Sequence, residues 1–150
     1  MNLKEPKTLT TLDGNTLMAQ EFEPLQFTVE KILPHGLFIL AGSPKIGKSW
    51  LSLDLCRAVA TGGKLWEFSA EQGDVLYLAL EDNFNRLQNR LKQMESEKED
   101  ISRLHLATAS FGLQDGLLEQ IHNFLAEHSG TNFIAIRNPA DSGVCTLKSE

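Results

Sequence analysis

Apolar residues in this chain come in short unbroken runs, separated by stretches in which they recur at helical spacing. Leu37, Phe38, Ile39, Leu40 and Ala41 form one such run, the pattern of a strand covered on both faces of a parallel sheet. Residues 42–49, GSPKIGKS, follow at once. Leu51, Leu55, Ala58 and Val59 then recur at i, i+4, i+7 and i+8, which predicts a helix with one buried face that stops at Gly62 and Gly63. Residues 75–80, VLYLAL, are a second apolar strand, and Glu81 and Asp82 stand at its C-terminal end. Phe84, Leu87, Leu91 and Met94 give an amphipathic helix for which Asp82 or Asn83 is available as the N-cap. Residues 104–107 predict a short third strand. Leu117, Leu118, Ile121, Phe124 and Leu125 mark a further helix closed by Gly130, and residues 133–136, FIAI, a fourth strand.

This alternation of strand and helix predicts an α/β domain with a three-layer parallel sheet and right-handed crossovers. Residues 1–25 hold Pro6 and Pro24 without sustained periodicity and are expected to be an extended lead-in. Residues 27–33 fit either a short strand or a helical turn, broken by Pro34, His35 and Gly36. Residues 137–150 carry no helix or strand period and are expected to be an irregular tail. The domain thus runs from 26 to 136.

With 150 residues the chain is long enough for one domain with a real core. Its 41% hydrophobic and 23% charged residues are ordinary for a soluble protein, and no apolar run approaches the roughly 20 residues needed to cross a bilayer. Cys56 and Cys145 lie far apart with no metal-ligand spacing, and the first ten residues lack the apolar core of a secretory signal, so a reduced, cytoplasmic setting is expected. Fourteen basic against twenty acidic residues, a net charge of −6, argue against a chain that coats nucleic acid electrostatically.

The chemistry lies in the loop. Gly42, Gly47, Lys48 and Ser49 meet the pattern G-x-x-x-x-G-K-[ST] between a predicted strand and a predicted helix, the context that gives this motif its meaning. Gly42 and Gly47 allow the backbone N–H groups to turn inward toward phosphate oxygens, and the helix that follows presents its positive dipole end. Lys48 is expected to reach the β- and γ-phosphates of a nucleoside triphosphate, and the Ser49 hydroxyl to ligate magnesium. Between them Ser43, Pro44, Lys45 and Ile46 complete the cradle, Pro44 stiffening it and Lys45 adding a positive charge. The blander alternative is a tight turn followed by a solvated lysine.

A carboxylate at the C-terminal end of a parallel strand faces the crevice where open α/β sheets bind ligands. Glu81 there is a candidate base for the water that attacks the γ-phosphate; the alternatives are an exposed loop acid or, for Asp82, a helix cap. Arg86, Arg90 and Lys92 alternate with Asn and Gln and read as a solvated helix face. His35, His105, His122 and His128 lack metal spacing and read as surface histidines. Trp50 and Trp66 flank the loop helix, with packing as the default and stacking on adenine as the alternative.

The segments LFILAGSPKIGKSWLSLDLCRAVATGG and QGDVLYLALEDNFNRLQNRLKQM together resemble the RepA-like, RecA-fold ATP-binding proteins, AAA-type ATPases that include plasmid hexameric replicative helicases. The resemblance runs from about Phe27 to Ile136 and includes Trp50 as the end of GKSW. It implies ATP hydrolysis with magnesium, Glu81 as catalytic base, assembly into a homo-oligomeric ring in which a neighbour supplies an arginine, and DNA as a partner by family analogy only. It also implies a Walker B aspartate after the fourth strand, where this chain has Arg137 instead, with Asp141 a poorly placed substitute. The resemblance stops at Ile136, so the domain is expected to be incomplete at its C-terminal side. Three readings stand: an ATPase module, a nucleotide-binding module without catalysis, and a vestigial fragment.

Overall fold

The computed structural model describes residues 9–94, 98–137 and 144–147. Its centre is a five-stranded sheet in the order β3 (Phe38–Ile39), β9 (Val144–Leu147), β8 (Thr131–Arg137), β6 (Asp74–Ala79), β7 (Leu104–Ala107). β6 pairs in parallel with both β7 and β8, whereas β9 runs antiparallel to β8 and to β3. Two reversals cancel, so β3 points the same way as the three parallel strands. The chain therefore leaves β3, β6 and β8 on one edge of the sheet, which is what later brings their following residues together.

Alternation along the strands sorts the core into two layers. Val75, Tyr77 and Ala79 of β6 and Phe133 and Ala135 of β8 face α2 (Lys48–Thr61) and α3 (Phe84–Gln93), where Leu53, Cys56, Val59, Leu87 and Leu91 are buried. Leu76, Leu78 and Ile134 face the other way, onto Leu117 and Ile121 beside and within α4 (Leu118–Glu127). Helices on both faces of a parallel three-strand centre make this a three-layer α/β domain, consistent with the core that the pattern predicts, although β9 makes the sheet mixed rather than wholly parallel. None of the helices among the described residues is long and apolar enough to cross a membrane.

Several elements depart from expectation. The lead-in contains α1 (Gly14–Met18), a five-residue helix that buries nothing and is held by its cap, Asp13 accepting from the N–H groups of Asn15 and Thr16. Residues 27–33 resolve into a hairpin of β1 (Phe27–Val29) and β2 (Leu33–Pro34), and a second hairpin joins β4 (Lys64–Leu65) to β5 (Phe68–Ser69). The first apolar run yields only the two residues of β3. Phe38 and Leu40 pack on the core, but Leu37 and Ile39 are 59% and 72% exposed, because β3 is the edge strand and the α4 layer covers β6 and β8 instead.

The C-terminal segment also differs. Expected to be without strand, it supplies β9, whose backbone fills the slot between β3 and β8 with Thr146 opposite both Phe38 and Ala135. Free N–H and C=O groups on two facing strands are a template that even a short segment with β-branched residues satisfies. Asp141 lies outside the described residues.

Candidate nucleotide-binding site

Between β3 and α2 the chain folds back on itself. Lys45 and Gly47 sit in the left-handed region, at φ of 67° and 96°, and these two reversals curl the loop around the start of α2. A Cβ on Gly42 would lie 2.6 Å from the Ile46 side chain, so the bend leaves no room there for a larger residue without displacing Ile46. Lys48 folds into the ring: its Nζ donates to the carbonyls of Gly42 at 2.6 Å and Ser43 at 2.8 Å. The α2 N-cap is Gly47, which offers no side-chain acceptor, and no acid stands in the first turn. The first N–H groups of α2 and its positive dipole end thus face the loop without a carboxylate to neutralise them.

That arrangement fits a phosphate chain: backbone donors, a helix start and the ammonium groups of Lys45 and Lys48, on a loop bent back by the left-handed residues Lys45 and Gly47. Ser43, Pro44, Ile46 and Ser49 all lie in this loop or its first helical turn. Ser49 would be the protein's direct oxygen donor to magnesium, which normally keeps several waters and takes its other ligands from phosphates. Among the described residues no group of three or more His, Cys, Asp or Glu side chains is placed to hold a metal by itself.

The second half of the edge is made by β6, α3 and β8. Leu80 N–H reaches the Arg137 carbonyl at 3.2 Å, and Asp82 N–H turns back to Ala79 at 2.9 Å, so the acids emerge side by side from the strand end. Their environments differ. The Asp82 side chain is fully buried; Arg90 Nη1 donates to its Oδ2, Arg86 Nε lies 3.3 Å from its Oδ1, and Arg137 Nη1 stands at 3.8 Å. The Glu81 side chain is 31% exposed and meets Arg137 Nη2 at 2.7 Å. Asn83, not Asp82, caps α3, accepting from Arg86 N–H at 2.9 Å.

Arg90 therefore does not belong to a solvated face: its side chain is only 12% exposed, and its guanidinium lies 5.6 Å from the centre of the Trp50 ring. Trp50, in the first turn of α2, is thereby tied to the acid edge through Arg90 and Asp82. The signal was partly legible as spacing, since Arg86 and Arg90 stand four and eight residues after Asp82 and share one stripe of α3. Arg86, 56% exposed, keeps more of the predicted character. Beneath the acids, Tyr77 is buried with no hydrogen-bond partner for its hydroxyl among the described residues. Burial pushes its pKa up to about 12, with the neighbouring Cys56 thiol adding to the shift and Arg137 opposing it. Burial likewise pushes the Cys56 thiol well above its ordinary range.

The histidines are not all solvated either. His105 and His128 stack with ring centres 4.1 Å apart, Phe124 packs against both, and Asp74 lies 3.9 Å from His105. Burial first, then His128, lowers the His105 pKa, against the pull of Asp74. Asp74 is the first residue of β6, so this cluster occupies the opposite edge of the sheet from the loop. Trp66 is apart from the loop, half-lining an apolar cavity with Leu33, Phe38, Leu51 and Leu55.

A family model described as an AAA domain matches residues 3–131. The match covers most of the chain, which therefore belongs to the AAA domain family, an ATPase-type P-loop family. Comparison with curated proteins and with solved structures returned no match.

Proposed function

We propose that this member of the AAA domain family binds ATP in the loop of residues 42–49 and hydrolyses it with Glu81 as the base. The observation that carries the proposal is the Lys48 ammonium drawn inward by the Gly42 and Ser43 carbonyls at the uncapped start of α2. An ammonium held there has only to release two neutral carbonyls to meet phosphate oxygens, which offer stronger charge-assisted bonds. Backbone donors and Lys45 would neutralise the remaining charge, Ser49 would hold a magnesium ion that supplies further charge screening, and Trp50, beside Arg90, stands in the first turn of α2 next to the loop.

In the reaction, Glu81 orients a water and accepts its proton as the water oxygen bonds to the γ-phosphorus. The bond from that phosphorus to the β–γ bridging oxygen breaks, and ADP leaves with the electron pair. Asp82 is unsuited to this task because it is fully enclosed by arginines; Glu81 is partly open. The resemblance to RepA-like proteins extends the proposal to a cytoplasmic homo-oligomeric ring that moves on DNA, with an arginine from a neighbouring copy completing the site.

A second reading, nucleotide binding without turnover, is favoured by the ion pair that engages Glu81. A fluorescent ATP analogue and phosphate release separate the two. Binding that disappears in Lys48→Ala supports the loop assignment, and magnesium-dependent release of phosphate that disappears in Glu81→Gln supports catalysis. Binding retained in Lys48→Ala would refute the site, and release unaltered by Glu81→Gln would refute the base.

A further inference from the structure

Charges at the acid edge do not balance. Two carboxylates, Glu81 and Asp82, share three guanidiniums from Arg86, Arg90 and Arg137. Asp82 is already satisfied by Arg90 and Arg86, and by the Asn83 N–H at 3.1 Å. The surplus cation is Arg137, and its two terminal nitrogens are unequal. Nη2 holds Glu81 at 2.7 Å, whereas Nη1 is buried, is 3.8 Å from Asp82 and makes no hydrogen bond among the described residues. An arginine cannot shed its charge, and a buried donor left without an acceptor is costly, so an unfilled N–H points to an acceptor that comes and goes.

Topology says which acceptor. Arg137 ends β8, two strand spacings or about 10 Å from β3, and leaves the sheet on the same edge as the phosphate loop. We propose that Arg137 is a latch: it holds Glu81 when no terminal phosphate is present, and transfers its guanidinium to the terminal phosphate of a bound nucleoside triphosphate, freeing Glu81. The proposal rests on the reading of residues 42–49 as a triphosphate site. The exchange replaces one carboxylate by a phosphate of higher charge and fills the empty Nη1, so it runs forward with a triphosphate. A diphosphate lacks the group that would receive the guanidinium, and the latch stays shut.

Two consequences separate a latch from an ion pair that merely supports the fold. Arg137→Ala should weaken ATP by roughly tenfold, the loss of one charge-assisted contact, while ADP changes by less than about twofold. Glu81→Gln should do the reverse for ATP, raising its affinity several-fold because no ion pair has to break, again without effect on ADP. Direct titration of the intact chain with fluorescent ATP and ADP analogues reads both, and Arg137→Lys, which keeps the charge but loses the fork, covers the case in which the alanine variant does not fold. Parallel changes in ATP and ADP affinity, or no gain for ATP in Glu81→Gln, would overturn the latch. A wild-type chain that binds neither nucleotide, or binding unaffected by Lys48→Ala, would overturn the underlying site and the latch with it. Binding that is sensitive to Lys48 but equal for ATP and ADP in every variant would overturn the latch alone.

Discussion

Replacing Asp82 by alanine should destabilise the protein far more than the same change at Glu81, although the two acids are adjacent. Asp82 is fully buried, and its loss strands Arg90, whose side chain is 12% exposed, while Arg86 can turn to solvent and Arg137 keeps Glu81. Removing one partner of a buried ion pair costs about 3–5 kcal/mol. Because Arg137 stands 3.8 Å away and Arg86 is half exposed, only the Arg90 contact counts in full, which puts the expected loss near the lower end, about 3 kcal/mol. In a domain of this size that is a fall of about 6–12 °C in Tm, or roughly 1–2 M in the urea midpoint with an unchanged slope. For Glu81→Ala, the partly exposed pair predicts a loss of about 1 kcal/mol or less. Urea unfolding followed by tryptophan fluorescence suits the assay, since Trp50 lies over Arg90 and reports the same corner. A midpoint for Asp82→Ala within error of the Glu81→Ala value would refute the assignment of Asp82 as the structural acid.

Tyr77→Phe removes a buried hydroxyl that has no partner among the described residues, so stability at neutral pH should stay level or rise by up to about 1 kcal/mol. The same side chain sets an alkaline limit: its folded pKa, raised from 10.0 to about 12, gives stability that is present below about pH 10 and lost as pH climbs through about 12, where the unfolded chain sheds the proton first. Urea midpoints measured from pH 9 to 11.5 should fall more steeply in the wild type than in Tyr77→Phe; equal slopes would contradict it. Thr146→Pro removes a backbone donor in β9, the strand that is β3's sheet neighbour, so it should lower the urea midpoint and weaken binding of a fluorescent ATP analogue without touching the loop. Unchanged binding in the folded variant would show that β9 does not support the loop.

The fold was legible wherever burial was two-sided. The runs at 75–80 and 133–136 read as central strands because β6 and β8 are covered by α2 and α3 on one face and by α4 on the other. The same kind of run at 37–41 misled, since apolar composition does not say whether a strand lies at the centre or the edge of its sheet. β9 was invisible because what orders Val144–Leu147 is the pair of backbone edges it enters, not its own periodicity. Within the site, the loop was legible because its pattern falls between a strand and a helix and Gly47 takes the left-handed conformation that favours glycine. Glu81 stood out in the sequence by its place at the strand end, but the enclosure of Asp82 was legible only in part, because one of the arginines near it comes from a strand far along the chain.

That last dependence also explains why a long cation can stand at the end of β8. β9 keeps β8 one strand away from β3, adding about 5 Å between Arg137 and the strand that delivers the loop. Parallel strands put both on one edge, but a short side chain at position 137 would face across that gap with little reach. An arginine spans more of it, and its planar fork can serve Glu81 with one nitrogen while leaving the other for a second anion. That combination of reach and a two-pronged head is what the proposed latch requires of position 137: one nitrogen on Glu81 while the loop is empty, and a second that meets the terminal phosphate when a triphosphate is bound.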